Sequence, residues 1–380
     1  MKVNISYPDD VVRIINLLDG NARIVGGCVR DYILHNELVY DIDIATPFLP
    51  DEMIARLEKD FNIVPTGLQH GTISIFGKNK YEITTLRTDY DTDGRHALVQ
   101  FNASWKEDSA RRDFTINALY ADLDGNIYDY QNGLSDLQKK LVRFIGNPHE
   151  RIHEDYLRIM RFFRFAVRFG NYDQPSLNAC LELASNLQKI SKERIVSELL
   201  KIFEGQYFWD FLDIMKPVFQ AIGLNVCGLI SVSSCEDDGI QKTESCLRKE
   251  NLTVLGKLAM FWNENARLQL SNDQKKYVKN LQNLQLENQT DAIIAMQKYG
   301  IDFVKDKMIL DNQEFELYDL PNMPITGLHL IELGVENIKI GQILNELNRI
   351  WVERKAEINL DELLALATKL YEQQKEQNNQ

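Results

Sequence analysis

Asp41 and Asp43 flank one residue in the run Asp41-Ile42-Asp43-Ile44-Ala45. On a strand, the period of two sends both carboxylates to one face, about 6–7 Å apart, and turns Ile42 and Ile44 to the other. Two carboxylates converging on one spot repel unless a cation lies between them. Mg²⁺ suits the place, because it is a hard ion that takes one or two carboxylates together with phosphate oxygens. An isolated D-x-D is also what a solvent-facing edge strand looks like, so the neighbours decide. Glu82, in Tyr81-Glu82-Ile83-Thr84-Thr85, adds a third acid on a separate strand able to pair alongside. Gly26-Gly27 closes a short apolar run just before Arg30. A glycine turn that opens a helix offers backbone amides to an anion. A phosphate cradle beside metal-holding carboxylates points to nucleotidyl transfer.

A second group of chemically capable residues lies in Glu154 to Arg168. The spacing predicts one helix over 151–169, which makes Asp155 and Arg158 surface neighbours. Arg161, Arg164 and Arg168 continue the row. Arginines interleaved with Leu, Met and Phe are costly to bury without an anionic partner. An aspartate acceptor beside an arginine donor fits the amino group and ring nitrogen of cytosine or adenine. It refuses uracil and guanine, which carry a carbonyl where the amine should be. Arg194 and Glu198 read as a structural pair four residues apart. The whole chain has a net charge of −13, yet residues 139–168 hold eight Lys/Arg against three Asp/Glu. That local reversal marks where a polyanion would sit.

The elements that must position these groups change character along the 380 residues. Short strands are expected at 23–25, 41–45, 98–101 and 127–130, with a hairpin of 72–76 and 81–86 around Gly77-Lys78-Asn79-Lys80. A helix starts at Val29, another spans 50–61, residues 115–120 suit helix or strand, and 89–96 form a polar loop. From about residue 135 the period becomes 3.6, with helices expected over 176–188, 191–204, 251–267, 272–285, 289–300, 340–354 and 360–376. Residues 231–243 read as a polar linker. The fold class is therefore α+β: a mixed-sheet head over 1–138, a helical neck over 139–206 and a helical body and tail over 207–380.

Bulk features exclude some classes. No apolar run approaches the roughly 18 residues a membrane span requires. The first residues lack a signal-peptide core. Cys28, Cys180, Cys227, Cys235 and Cys246 are scattered and read as reduced thiols, consistent with a cytoplasmic protein rather than a disulfide frame or zinc site.

"GGCVRD" (26–31) followed by "DIDIA" (41–45) resembles the signature of the polymerase-β-like nucleotidyltransferases. More narrowly, it resembles the class II tRNA nucleotidyltransferases, the CCA-adding enzymes, and the related bacterial poly(A) polymerases. "ARRDFTINALY" (110–120), "DYQNGLSDLQKKLVRFIG" (129–146), "EDYLRIMRFFRFAVRFG" (154–170) and "SKERIVSELLKIF" (191–203) follow in the family's order. The resemblance implies that Asp41 and Asp43 hold catalytic Mg²⁺ with Glu82 as third carboxylate. It implies that Gly27 and Arg30 meet the triphosphate, and that Arg112 and Asp113 meet the ribose. Asp155 and Arg158, with Arg161 and Arg164 beside them, would then select the base. CTP and ATP are the implied substrates and the tRNA 3′ end the implied partner, gripped at its acceptor and T arms by the C-terminal helices; DNA and membranes are not expected. Residues 87–101, with Asp93-Gly94-Arg95, resemble the loop that lets CCA-adding members switch from C to A. Residues 325–347 match the tail motif imperfectly, with Asn337-Ile338-Lys339 where a turn is usual. No histidine is followed by Asp, so a fused phosphohydrolase motif is absent. Poly(A) polymerase, CC-only or A-only addition, and a non-catalytic RNA-binding relative are the alternatives.

Overall fold

The computed structural model describes every residue except 37–40, 93–96, 226–248, 250, 264, 265, 267 and 378–380, and only the backbone at 89–92, 97, 98, 376 and 377. Asp93-Gly94-Arg95, the linker expected at 231–243 and Cys227, Cys235 and Cys246 lie outside the described residues. The chain forms two compact units. One takes the described residues of Met1–Ser233 and Asn263–Gln269, the other those of Ser234–Trp262 and Leu270–Gln380.

In the first unit the strands are β1 (Arg23–Val25), β2 (Ile42–Thr46), β3 (Asn62–Gly67), β4 (Thr72–Phe76), β5 (Lys80–Thr85), β6 (Arg87–Thr92), β7 (Ala97–Phe101), β8 (Leu119–Ala121) and β9 (Ile127–Asp129). Seven of them make one mixed sheet in the order β3-β4-β5-β2-β1-β8-β9. The β2–β5 pair is parallel and places Asp43 directly across from Glu82. On the other side β1 runs antiparallel to β2, with Val25 across from Asp43. Ile42 and Ile44 are each 1% exposed, so the apolar half of the D-x-D strand is core, as the alternation requires.

β6 and β7 form a separate antiparallel ribbon, Arg87 facing Phe101 and Thr88 facing Gln100. Residues 89–92 are therefore strand, where a polar loop is expected from composition. Strand pairing rests on backbone bonds and needs no apolar run, and the Thr-x-Tyr-x-Thr alternation of 88–92 is compatible with it.

Helices α1 (Asp9–Leu17), α2 (Gly27–His35), α3 (Pro50–Leu57), α4 (Trp105–Ala110) and α5 (Gly133–Gln138) surround the sheet sequence. α6 (Pro148–Glu154), α7 (Leu157–Phe169), α8 (Gln174–Leu183), α9 (Lys192–Phe203) and α10 (Leu212–Ala221) follow within the same unit. Phe114, fully buried, ties the sheet region to α7: its ring lies 4.8 Å from Phe144 and 5.4 Å from Phe165.

The second unit is helical: α11 (Val254–Phe261), α12 (Asn272–Asn283), α13 (Gln289–Tyr299), α14 (Ile301–Asp311), α15 (Gly327–Glu332), α16 (Asn337–Glu353) and α17 (Leu360–Gln377). Leu330, Ile343, Leu347, Trp351, Leu363 and Ala367 make one apolar cluster there. Asn337-Ile338-Lys339 opens α16. Among the described residues no helix is long and apolar enough to cross a membrane.

Candidate active site

The glycine turn follows from register. β1 ends at Val25 beside Asp43, so the next residues pass the start of β2 where Asp41 stands. Gly26 has φ +79°, a conformation that side chains resist, and Gly27 is the first residue of α2. Asp41 and Asp43 both retain exposed surface, and both line a cleft of about 560 Å³. Gly26, Gly27, Arg30, Arg112, Asp113, Asp155, Arg158, Arg161 and Arg164 line the same cleft. Ten of the eleven expected site residues therefore share one cavity. Glu82 is not in its lining: it sits across from Asp43, but its Oε1 accepts from Lys80 Nζ at 2.6 Å.

Arg30, Arg112, Arg158, Arg161 and Arg164 of the cleft each have a carboxylate that fixes them. Arg30, 5% exposed, donates from Nε and Nη2 to both oxygens of Asp31 at 2.9 Å, and from Nη1 to Asn117 Oδ1 at 2.5 Å. Arg168 Nη2 donates to the same Asp31 at 2.9 Å. Burial opposes ionisation of Asp31, but Arg30 and Arg168 outweigh it and hold the carboxyl below the ordinary range. Asp113 accepts from Arg161 Nη2 at 2.6 Å, Asn117 Nδ2 at 3.0 Å and the Phe114 amide at 2.8 Å. Burial again opposes ionisation, and Arg161 with these donors still brings Asp113 down to about 2. Arg112 reaches Tyr120 Oη at 3.2 Å and Asp108 at 3.1 Å; burial disfavours its charge, and Tyr120 and Asp108 more than restore it.

The helix expected over 151–169 is broken at Asp155, whose backbone is extended at φ −156° and ψ 108°. Its Oδ1 accepts the Leu157 amide at 3.0 Å, an aspartate competing locally with the helix ladder for a backbone donor. Asp155 and Arg158 are thus not surface neighbours on one continuous helix. Asp155 Oδ2 instead accepts from Arg194 Nη2 at 2.6 Å, and Arg158 Nη1 donates to Glu154 Oε2 at 2.5 Å. Glu198 takes Arg164 at 3.0 Å. Arg194 and Glu198, expected to pair with each other, both reach residues of the cleft.

Sequence reasoning missed Asp31, Asp108 and Asn117. Asp108 left a trace, since Arg111 and Arg112 follow at three and four residues and both pair with it. Asn117 left none; it joins Arg30 to Asp113 only because the chain folds back.

Among the described residues no three His, Cys, Asp or Glu side chains gather closely enough to enclose a metal ion by themselves. The donor set nevertheless fits a hard divalent ion. Crowding away from water, then the charges of Asp41 and Glu82, push the Asp43 carboxyl up to about 6, against a partial offset from Arg112 and Lys80. Such a site carries uncompensated negative charge, which a cation sharing its shell with water and phosphate oxygens would relieve.

Comparison with known proteins identifies the family of the chain. A family model described as "Poly A polymerase head domain" matches residues 22–143, and one described as "Probable RNA and SrmB- binding site of polymerase A" matches 173–217. The sheet, the glycine turn and the first of these matches define a nucleotidyltransferase, a class that uses a divalent metal. The chain is 34% identical to the CCA tRNA nucleotidyltransferase 1, mitochondrial, of Homo sapiens, over 91% of this chain and 86% of that protein. It therefore belongs to the CCA tRNA nucleotidyltransferase family. It is 48% identical to a CCA-adding enzyme of Limosilactobacillus reuteri over 49% of this chain and 46% of that one. The fold resembles the Bacillus stearothermophilus CCA-adding enzyme solved with CTP, with a TM-score of 0.68 at 22% identity over 98% of this chain and all of that one.

Proposed function

We propose that this protein adds C, C and A to the 3′ end of tRNA from CTP and ATP, releasing pyrophosphate. The observation that carries the reading is the pair Asp41 and Asp43 at the glycine turn of a cleft lined by Arg30, Arg112, Arg158, Arg161 and Arg164, in a chain of this family. The family's metal is read here as Mg²⁺. Held by Asp41 and Asp43, it would make the RNA 3′-hydroxyl a better nucleophile and neutralise charge on the departing pyrophosphate.

Other steps belong to the chain's own groups. The Gly27 amide at the start of α2 and the Arg30 guanidinium meet the triphosphate; Asp31 and Asn117 keep Arg30 aimed. Asp113 and Arg112 meet the ribose, an aspartate being able to accept from a 2′-hydroxyl. Asp155 accepts the amino group of cytosine or adenine while Arg158 donates to the ring nitrogen, with Arg161 and Arg164 stiffening that wall. Glu82 acts through charge beside Asp43. Residues 1–138 would serve as catalytic head, 139–206 as the selecting neck, and 207–380 as the part that grips tRNA. A cytoplasmic location belongs to the same reading, although the vertebrate relatives are named mitochondrial, and cell fractionation tests it.

Purified protein, a tRNA lacking CCA, CTP, ATP and Mg²⁺ decide the matter. The reading expects growth by three nucleotides, with C incorporated before A. Growth by CC alone, by A alone or by a long A tail replaces it with a sister activity. No growth replaces it with a non-catalytic RNA-binding role.

A further inference from the structure

Behind the wall of the catalytic cleft lies a second cavity of about 660 Å³. Arg30, Arg164 and Phe165 line both spaces. The second cavity contains none of the acids that line the first. Its rim carries Arg168, Lys140, Lys201 and His35, and among the described residues Glu204 is its single carboxylate.

The charges of this rim are unequally compensated. Arg30 and Arg168 share Asp31, and Arg164 and Lys201 share Glu198, with Lys201 as far as 3.9 Å away. Among the described residues Lys140 makes no ion pair. It also stands in the left-handed region at φ +53°, just past α5, where glycine or asparagine is the usual solution. A lysine kept in that conformation presents a charge at the cost of backbone strain, and such outliers cluster at ligand sites.

We propose that this cavity is a phosphate-binding site that receives the pyrophosphate leaving group. The chemistry it recognises is that of a multiply charged phosphate anion, offered compact point charges by lysine and forked donors by arginine. Free pyrophosphate and the phosphodiesters of an RNA chain share that chemistry. Pyrophosphate is favoured because Arg30, the residue read as meeting the triphosphate, belongs to both walls. The inference rests on the nucleotidyl-transfer reading for the origin of the pyrophosphate, not for its binding.

The test uses Lys140→Asn, which suits the left-handed backbone, and Lys201→Gln, singly and together. Calorimetric titration of inorganic pyrophosphate is run in EDTA without RNA or nucleotide, so that no metal at Asp41 and Asp43 bridges it. The double variant is expected to lose at least fivefold in pyrophosphate affinity. In the incorporation assay it is expected to show a pyrophosphate inhibition constant raised by a similar factor, with KM for tRNA, CTP and ATP within twofold of the parent. Unchanged pyrophosphate affinity overturns the proposal. A raised KM for tRNA with pyrophosphate affinity intact also overturns it, assigning the cavity to RNA. If the parent protein adds no nucleotide, the titration still reads the cavity, so failure of the function and failure of the site remain separate results.

Discussion

Arg194 donates to Asp155 at 2.6 Å across the gap between α9 and the break before α7. The acid read as accepting the base amino group is thereby oriented by Arg194, while Arg158 is engaged by Glu154. Both partners of the Arg194 pair are partly open to solvent, with side-chain exposures of 40% and 24%. An exposed pair of this kind contributes about 0–1 kcal/mol, so Arg194 orients Asp155 while adding little to the stability of the fold.

Arg194→Ala should therefore separate stability from selectivity. Chemical denaturation should shift by less than about 1 kcal/mol. The ratio of kcat/KM for CTP over UTP should fall about tenfold or more, because Asp155 loses the partner that orients it. Asp155→Ala should lose the same discrimination outright or abolish incorporation. Parental selectivity in both variants would remove Asp155 from base selection.

Asp43 makes activity and stability depend on pH in opposite senses. Its carboxyl titrates near 6 in the fold and near 3.8 in an unstructured chain. The folded state therefore prefers the protonated form. Its contribution to stability is fully present below pH 3.8 and is lost as pH rises through about 6. Without metal, Asp43→Asn should melt higher than the parent at pH 7 and lose that advantage below pH 4. Incorporation by the parent at limiting Mg²⁺ should fall about tenfold per pH unit below 6, since a proton competes with the metal. Asp43→Asn should lose at least about a thousandfold in incorporation while binding tRNA normally; a smaller loss would detach Asp43 from the chemistry.

How much of this was legible before the fold differs from one residue to the next. Asp43 and Glu82 could be placed because each lies on a strand whose alternation leaves one choice of face, and the parallel register then sets them side by side. Asp155 was misread for the opposite reason. The 3.6-residue period runs unbroken from 151 to 169, and only the aspartate's capture of the Leu157 amide interrupts it. Periodicity reports burial and is silent about one side-chain bond. The partners of the arginines were hidden for a third reason: Asn117 and Asp31 serve residues up to 137 positions away, and no local spacing encodes such a meeting. The 89–92 strand went unseen because its pairing depends on backbone bonds rather than on apolar content.

Asp113 should reveal itself through stability. Asp113 is about 9% exposed, and its carboxyl titrates near 2 despite burial, held there by Arg161, against an unfolded value of 3.8. The sign is opposite to that of Asp43: the stabilisation is present above about pH 4 and is lost as pH falls toward 2. Asp113→Asn should cost roughly 2–4 kcal/mol at pH 7, since it strands Arg161 beside a neutral amide. The deficit should shrink on acidification, because the parent then loses the same charge. A deficit that does not change between pH 7 and pH 3 would mean that the Asp113–Arg161 pair contributes nothing through its charge.

In the second unit, Gly256 of α11 packs against Asp306 of α14. A Cβ at residue 256 would fall 2.5 Å from the Asp306 carboxyl carbon. Asp306 is fully buried and cannot retreat easily, because the Thr253 amide donates to it at 2.8 Å and Tyr277 Oη at 2.9 Å. Alanine inside a helix ordinarily gains about 1 kcal/mol over glycine. Here overpacking, typically about 1–3 kcal/mol, opposes that gain and should exceed it. Gly256→Ala is expected to lower the urea midpoint of this unit while leaving KM for CTP and ATP unchanged, since residue 256 is remote in sequence from every cleft residue. A raised midpoint would mean that α11 and α14 do not approach each other as closely as the Gly256–Asp306 contact requires.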